Sequence, residues 1–433
     1  MIEPSLAEVA IREAIANRGR ITFREFMSMA LYAAPGGYYS TGTSQIGAAG
    51  DYFTSPEVHP AFGALVARQI EQVWIFMGRP ELFSVVEIGA GTGALARDIL
   101  SYSSGYSPAF FEATEYVIVE RNPELARLQQ RTLAEIGPRG ERVAWKSSAP
   151  QERRANGLVK GCVISNELLD AFPVHRVSVR DGRLREIYVG LEQDRLVEIE
   201  GDPSTPALPA YFEALGFLPP EGAQAEVNLE ALAWMRSASE ALGRGAVITI
   251  DYGLPAAELY SERFLGGTLH CFYRHTVTGN WFEYIGRQDI TAHVDFTSVA
   301  REGEAHGMRP VGLCSQAEFL SRLGVDRYAA LLPAMGLRAV DYESNRLGIR
   351  ELTDPDGLGR IRVLIQQKGL DGLSPACLRP GGINTEEFGR ELGAEPPPLL
   401  TRSHIRLDSP LGANIEVDTH GLWEELARED DEE

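Results

Sequence analysis

The sequence predicts an α/β protein centred on a doubly wound, mostly parallel sheet. Short apolar runs alternate with segments of helical period between residues 61 and 366. The run Phe83–Ile88 opens directly into Gly89-Ala90-Gly91-Thr92-Gly93, and residues 94–100 then carry helix-spaced apolar positions. That succession is strand, tight turn, helix. With 433 residues the chain can bury a large core and divide into two or more lobes.

Taken in order, residues 5–32 read as two short helices and residues 33–60 as a loop rich in Gly, Pro and aromatic residues. Residues 61–76 form a helix, because Phe62, Leu65, Val66, Ile70, Val73 and Trp74 recur at helical spacing. Strand 83–88, helix 94–104, strand 115–120 and helix 123–136 follow. Asn122 is placed as the N-cap of that last helix, with Pro123 at its first position. A short strand lies near Val143-Ala144-Trp145 and another over 161–165. Residues 176–200 alternate around Asp181-Gly182 as an inserted hairpin does. Residues 201–222 are Pro-rich, 228–242 read as a helix, and 246–250 as a buried strand. Helix 296–306 and strands 309–313 and 362–366 complete the alternation, with no internal repeat.

The glycine turn is the first chemical signal. Glycines tolerate positive φ and let a ligand approach bare backbone, and the open N–H groups at the helix start favour a polar or anionic group. Gly89-x-Gly91-x-x-Ala94 also fits the loose dinucleotide pattern. Glu87 separates the two readings. A carboxylate in the strand that feeds the turn would repel a pyrophosphate. It suits S-adenosylmethionine (SAM), which has no phosphate and carries an ammonium and a sulfonium. The plainer alternative is a turn that binds nothing, and a dehydrogenase is disfavoured by Glu87. Glu120, at the end of the second strand, is placed to accept hydrogen bonds from ribose hydroxyls.

Two further clusters follow strands. Asn166-Glu167-Leu168-Leu169-Asp170 begins where strand 161–165 ends, and ligands of open α/β sheets sit beyond strand carboxyl ends. Its plainer reading is an Asx-turn. Asp289-Ile290-Thr291-Ala292-His293-Val294-Asp295 packs two acids and a histidine ahead of a helix, and its plainer reading is Asp295 as the N-cap.

A formal net charge of −20 argues against a broad nucleic-acid surface and favours a basic protein or peptide partner. No apolar run approaches the length of a membrane span, so no membrane insertion is expected. Residues 1–20 carry Glu3, Glu8 and Glu13, unlike a secretory signal or an acid-poor organellar presequence, and this leads to a cytoplasmic expectation. Cys162, Cys271, Cys314 and Cys377 are widely spaced and the histidines form no HExxH pattern, so no metal is expected.

Taken together, the motifs resemble the MidA family of class I SAM-dependent methyltransferases, which includes a mitochondrial complex I assembly factor with protein arginine methyltransferase activity. The resemblance rests on Gly36-Gly37-Tyr38-Tyr39; on Gly50-Asp51-Tyr52-Phe53-Thr54-Ser55-Pro56-Glu57 with Phe62-Gly63; and on Glu87-Ile88-Gly89-Ala90-Gly91-Thr92-Gly93. It continues in Asn166-Glu167-Leu168-Leu169-Asp170-Ala171-Phe172-Pro173-Val174, Ile250-Asp251-Tyr252-Gly253 and Asp289-Ile290-Thr291-Ala292-His293-Val294-Asp295-Phe296, and it runs from about residue 6 to Lys368. Ala90 stands where the family usually has proline, and Ile285-Gly286-Arg287-Gln288 where it often has Pro-Gly.

The resemblance implies a Rossmann-like, seven-stranded class I methyltransferase sheet with an N-terminal helical lobe and an inserted substrate-side region. The expected division is an N-terminal lobe with a cofactor-covering loop over 1–80, the first half of the core over 81–175, an insertion over 176–242, the second half over 243–368, and an appended, partly disordered acidic tail over 369–433. A hairpin within 404–418 is allowed. The cofactor is SAM, leaving as S-adenosylhomocysteine, held by Glu87, Gly89, Ala90, Gly91, Thr92, Gly93, Glu120 and Asn166, with Asp51 and Thr54 from a segment that can fold over it. Glu167, with Asp170 second, would clamp a guanidinium by paired charge-assisted bonds, and His293 would take the product's proton. Tyr38, Tyr39, Phe53, Glu57, Asp289 and Asp295 would line the acceptor side; the plainer reading of the aromatics is a hydrophobic seam. The function implied is arginine methylation of a protein partner, with a role in assembling a respiratory complex and a matrix location for eukaryotic relatives. The alternatives are a small-molecule N- or O-methyltransferase and a non-catalytic assembly chaperone that keeps SAM as a structural ligand.

Overall fold

The computed structural model describes residues 3–40, 54–147, 159–274, 276–390 and 395–400. The chain divides into two compact units. One comprises Ser44–Asn166, Glu240–Ile250 and Met308–Glu433, and the other Met1–Thr43, Glu167–Ser239 and Asp251–Gly307.

The first of these holds seven strands: β1 (Phe83–Ile88), β2 (Thr114–Val119), β3 (Val143–Lys146), β4 (Val159–Asn166), β5 (Leu242–Asp251), β6 (Arg309–Ser315) and β7 (Arg362–Lys368). They lie in the order β6-β7-β5-β4-β1-β2-β3. The pairs β5–β4, β4–β1, β1–β2 and β2–β3 are parallel, and β6–β7 is antiparallel. This is the expected doubly wound sheet. From β1 the chain moves outward to β2 and β3, then returns to the other side of β1 for β4 and β5. Val85, Val86, Val117, Ile118, Val163, Ile164, Val247 and Ile248 are all buried, so consecutive residues on both faces of these strands are covered.

Helix Ala61–Phe76 is buried from Ala61 through Trp74, including the polar Arg68, Gln69, Glu71 and Gln72. A buried polar side chain is costly unless its hydrogen bonds are made. Here the later chain makes them. The amide of Ala376 donates to Gln72 Oε1 at 2.8 Å, Arg390 donates to Glu71 at 2.8 Å, and Arg68 donates to Glu395 at 2.8 Å. The expected appended tail is thereby corrected for its described part: residues 369–390 and 395–400 are built onto the core. The allowed hairpin within 404–418 lies outside the described residues. Helices Gln316–Leu323, Val325–Leu331 and Ala339–Thr353 are additional to the sequence expectation. Gly63 has a packing reason, since a Cβ there would come within 2.5 Å of Asp98 Cβ on helix Ala94–Tyr106.

The other unit begins with helices Leu6–Arg18 and Phe23–Tyr32, the second started by a capping box between Thr22 and Glu25. The expected inserted hairpin is part of a five-stranded antiparallel sheet. Its strands are Arg20–Thr22, His175–Arg180, Arg183–Glu192, Arg195–Gly201 and Gln224–Val227. Asp181 and Gly182 both take positive φ, as two-residue hairpin turns require. The Pro-rich stretch contains helix Ala207–Leu215. A small antiparallel sheet joins His270–Tyr273 to Thr276–Thr278 and Asp289–Thr291. Residues 251–307, expected with the second half of the core, belong to this unit. Its first helices pack with Val174, Val189, Cys271, Ile285, Ile290 and Ala292 in one apolar cluster.

Candidate functional site

The glycine turn sits between β1 and helix Ala94–Tyr106. Gly89, Gly91 and Gly93 all have positive φ, which ordinary residues adopt only under strain. Gly93 is the helix N-cap and supplies no side-chain cap, so the first turn's N–H groups point to the loop without a capping oxygen. Glu87 is 2% exposed and accepts a 2.7 Å hydrogen bond from the Tyr116 hydroxyl on β2. Burial pushes its carboxyl up to about 7, with the Tyr116 bond opposing.

Glu120 follows β2. Its Oε1 accepts from the Asn122 amide at 2.8 Å and its Oε2 from Gln129 Nε2 at 3.0 Å. Burial raises this carboxyl as well, against those two bonds and the backbone of Arg121. Asn122 caps helix Pro123–Ala134 as expected. Thr92 donates through its hydroxyl to Glu57, on the short helix Ser55–Val58. Thr54 is that helix's N-cap residue and makes no side-chain cap bond. Asn166 ends β4, in register with Ile250 of β5. Asp51 and Phe53 lie outside the described residues.

A group of acids lies in the other unit. Glu167 has a φ of 48°, a left-handed conformation uncommon for a residue with a side chain. Asp251, fully buried, accepts from the Leu168 amide at 3.0 Å and the Leu169 amide at 2.8 Å, and so fixes the turn that begins at Glu167. Asp170 is 6% exposed. Burial holds its carboxyl well above the usual carboxylate range, and the Asp251, Glu167 and Asp289 carboxylates push in the same direction. Asp251 is likewise raised by burial, against the amides that bind it. Asp289 receives the Tyr39 hydroxyl at 2.9 Å on each oxygen and the Ile290 amide at 2.9 Å. Tyr39 stacks on Tyr32 at 5.4 Å, and Tyr32 donates to the Ala171 carbonyl at 2.8 Å.

Glu167, Asp170 and Asp289 therefore come together, joined by Asp251. The remaining acceptor-side expectations fare differently. Tyr38 is 2% exposed inside the apolar cluster of the N-terminal helices, so its ring belongs to the seam and not to a channel wall. Asp295 gives Oδ1 to the Thr297 and Ser298 amides at 2.9 and 3.2 Å, and Oδ2 to the Tyr211 and Ser298 hydroxyls at 2.7 and 2.6 Å. It is the helix cap of the plainer reading, with both oxygens engaged. His293 stacks on His270 at 5.9 Å and meets the edge of Phe264 at 6.2 Å. Glu57 lies against Thr92 of the glycine turn. A surface concavity lined by Glu3, Ser5, Glu8, Glu283, Tyr284, Ile285 and Arg287 shares no residue with either group.

Three contributors were not singled out from the sequence. Asp251 carried the same signal as Glu120, an acid closing an apolar strand. Tyr116 and Gln129 carried none, because their roles depend on contacts across the sheet. Among the described residues no cluster of His, Cys, Asp and Glu is arranged to hold a metal, and no helix is long and apolar enough to cross a membrane.

Residues 65–314 match the family model "Putative S-adenosyl-L-methionine-dependent methyltransferase". The chain is 29% identical over 386 residues to the Drosophila melanogaster protein named protein arginine methyltransferase NDUFAF7 homolog, mitochondrial, covering 83% of this chain and 84% of that one. It is 28% identical to the Mus musculus protein of corresponding name, covering 74% and 75%. The crystal structure of a COG1565 superfamily member from Burkholderia thailandensis bound to S-adenosyl-homocysteine superposes with a TM-score of 0.77 at 32% identity, over 87% of this chain and 95% of that one.

Proposed function

Since the chain belongs to this family of S-adenosyl-L-methionine-dependent methyltransferases, we propose that its acceptor is a guanidinium nitrogen of an arginine in a protein partner. One observation supports this reading above others. Asp170 is buried with the carboxylates of Asp251, Glu167 and Asp289 acting on it, an arrangement that favours a delocalised, bidentate cation. The names of the fly and mouse relatives point the same way.

The residues present fit the cofactor. Three positive-φ glycines keep side chains out of the turn, and the Glu120 carboxylate, oriented by the Asn122 amide and Gln129, retains acceptor capacity for a ribose hydroxyl. When bound, SAM supplies an electrophilic methyl group whose sulfur departs with the bonding pair. The chain's task is alignment and exclusion of water. An arriving guanidinium draws protons off the raised carboxyls of Asp170 and Asp251. Glu167, held in its turn by the Asp251-bound amides, forms the ion pair that orients the attacking nitrogen. His293, whose imidazole is half-buried, is the proposed acceptor of the proton that nitrogen loses.

The test is methyl-labelled SAM with protein extract from cells lacking this chain, followed by mass spectrometry of the labelled residues. Methylarginine is expected. Label confined to other residues or to small molecules overturns the arginine reading. Glu167→Gln should keep S-adenosylhomocysteine affinity within a few-fold and lose transfer by about 30-fold or more, the effect of removing one partner of a desolvated charge pair. Undiminished transfer by that variant would remove Glu167 from the clamp.

A further inference from the structure

Helix Pro123–Ala134 buries only Gln129, Thr132 and Leu133. Gln129 is 0% exposed. A glutamine at such a position loses its hydration, and an apolar residue of the same size would fill the space at less cost unless the amide is fully bonded. Both N–H donors and the oxygen are bonded, to three different elements. Nε2 donates to the Gly91 carbonyl at 3.1 Å and to Glu120 Oε2 at 3.0 Å, while Oε1 accepts from the Trp145 indole at 3.1 Å. The partners fix the amide's orientation, since two acceptors face the nitrogen and one donor faces the oxygen. Gly93 admits this arrangement. A Cβ there would lie 3.2 Å from Gln129 Cα and 3.3 Å from its Cβ.

We propose that Gln129 is a positioning residue of the cofactor site, which locks the Glu120 carboxylate and the Gly91 carbonyl into one register, with Trp145 holding the amide the right way round. The inference rests on the reading of Glu120 as the ribose acceptor and extends it to a residue that does not itself touch the ligand. The Asn122 amide fixes one oxygen of Glu120 and Gln129 the other, so the carboxylate plane is set before ligand arrives. The same side chain holds the middle glycine of the turn. The turn's conformation and the ribose acceptor's orientation thus become one variable.

The experiment uses the full chain and two ligands, S-adenosylhomocysteine and its 2′-deoxyribose analogue, titrated by calorimetry. The wild type should bind the analogue about tenfold more weakly, the scale of a hydrogen bond to a charged group. Gln129→Met keeps the volume and removes all three bonds. It should weaken S-adenosylhomocysteine by about 10- to 100-fold and bring the two ligands to within about twofold of each other, because a carboxylate that is no longer aimed stops reading the hydroxyl. A merely structural role would weaken both ligands equally and preserve their ratio, and that result overturns the inference. Glu120→Gln separates the two ideas. If it erases the discrimination while Gln129→Met preserves it, the ribose reading stands and the inference falls. If Glu120→Gln leaves the discrimination intact, the ribose reading falls and takes the inference with it. Should Gln129→Met melt in the cold, Trp145→Phe serves instead. It frees only the amide oxygen, and it should reduce the discrimination in the same direction, by about two- to fivefold; an unchanged ratio in that variant counts against the inference.

Discussion

If Glu87 meets the cofactor as proposed, ligand binding should depend on pH, and the size of the effect follows from its surroundings. Its carboxyl is buried, bonded to the Tyr116 hydroxyl, and pushed up to about 7. A ligand ammonium beside the group would favour the ionised form. If binding returns the group to an ordinary carboxylate value, affinity for S-adenosylhomocysteine should be about tenfold weaker at pH 6 than at pH 8, and about 0.7 of a proton should leave on binding at pH 6.5. Calorimetry in buffers of different ionisation enthalpy measures both quantities. Glu87→Gln should remove the proton release and flatten the pH profile, and Tyr116→Phe should move the profile to higher pH. The free protein must show the opposite trend. A carboxyl raised by folding contributes stability that is fully present below its unfolded value and lost as pH rises through about 7, at a total of about 3 kcal/mol for this shift. Wild-type melting temperature should therefore fall across that window, and Glu87→Gln should melt higher than wild type at pH 8 but not at pH 5. Equal affinity at pH 6 and pH 8, with no proton released, would refute the argument that Glu87 meets a cation.

Gly91→Val places a β-branched residue at a φ of 52° and should abolish S-adenosylhomocysteine binding while leaving a cooperative melt; calorimetry showing affinity within tenfold of wild type would contradict this. Asp170→Asn mimics the protonated form that burial and three neighbouring acids favour. Because the folded carboxyl is raised, its stability contribution is lost as pH rises, so the variant should melt no lower than wild type above neutral pH while methyl transfer falls; a lower melting temperature there would show that the ionised form is the stabilising one. Arg68→Met removes the guanidinium 2.8 Å from Glu395, which keeps Arg390 at 2.9 Å, and takes the donor from the buried Leu323 carbonyl, at a cost of about 1–3 kcal/mol. Its melting temperature should drop and cleavage within residues 369–390 should accelerate, with partial recovery in the Arg68→Met/Glu395→Met double variant.

The parallel sheet was legible because each strand is a short apolar run between turn signals. Strand Phe83–Ile88 and helix Ala61–Phe76 match their expected bounds. The hairpin around Asp181-Gly182 was legible for the same local reason. Strand Arg20–Thr22 was not. It is three residues between two helices, and it exists because Ile21 pairs with Val189, far along the chain. Helix Gln316–Leu323 did carry a local mark, the Ser315–Glu318 capping box. The polar face of helix Ala61–Phe76 reads as solvent-facing in any local pattern, yet residues after 370 cover it, and only long-range bonds such as Gln72 to Ala376 reveal this. The same limit applies at the site. Glu87, Glu120 and Glu167 are acids next to strand ends, which a sequence displays. Tyr116 and Gln129 matter through neighbours on adjacent strands, which it does not.

The buried acids divide into those with a cation beside them and those without. Glu395 is buried beside Arg68 and Arg390, Glu71 beside Arg390, and Glu226 beside Arg176. Each of these carboxylates has its counter-charge within the fold. Glu87 is buried against a neutral phenol, and the strongest influences on Asp170 are burial and three further carboxylates. Burying an acid without a cation raises its pKa and costs stability whenever it ionises. Asp251 and Asp295 are also raised without a cation, but backbone amides and hydroxyls engage them; Glu87 and Asp170 are the acids we propose to meet a positive charge that arrives from outside. The two cations required by the proposed reaction meet that description: the ammonium of the cofactor for Glu87 and the guanidinium of the acceptor for Asp170. The pH response of cofactor binding should accordingly depend on Glu87, and that of acceptor methylation on Asp170, so exchanging the two substitutions between the two assays should leave each profile as in the wild type.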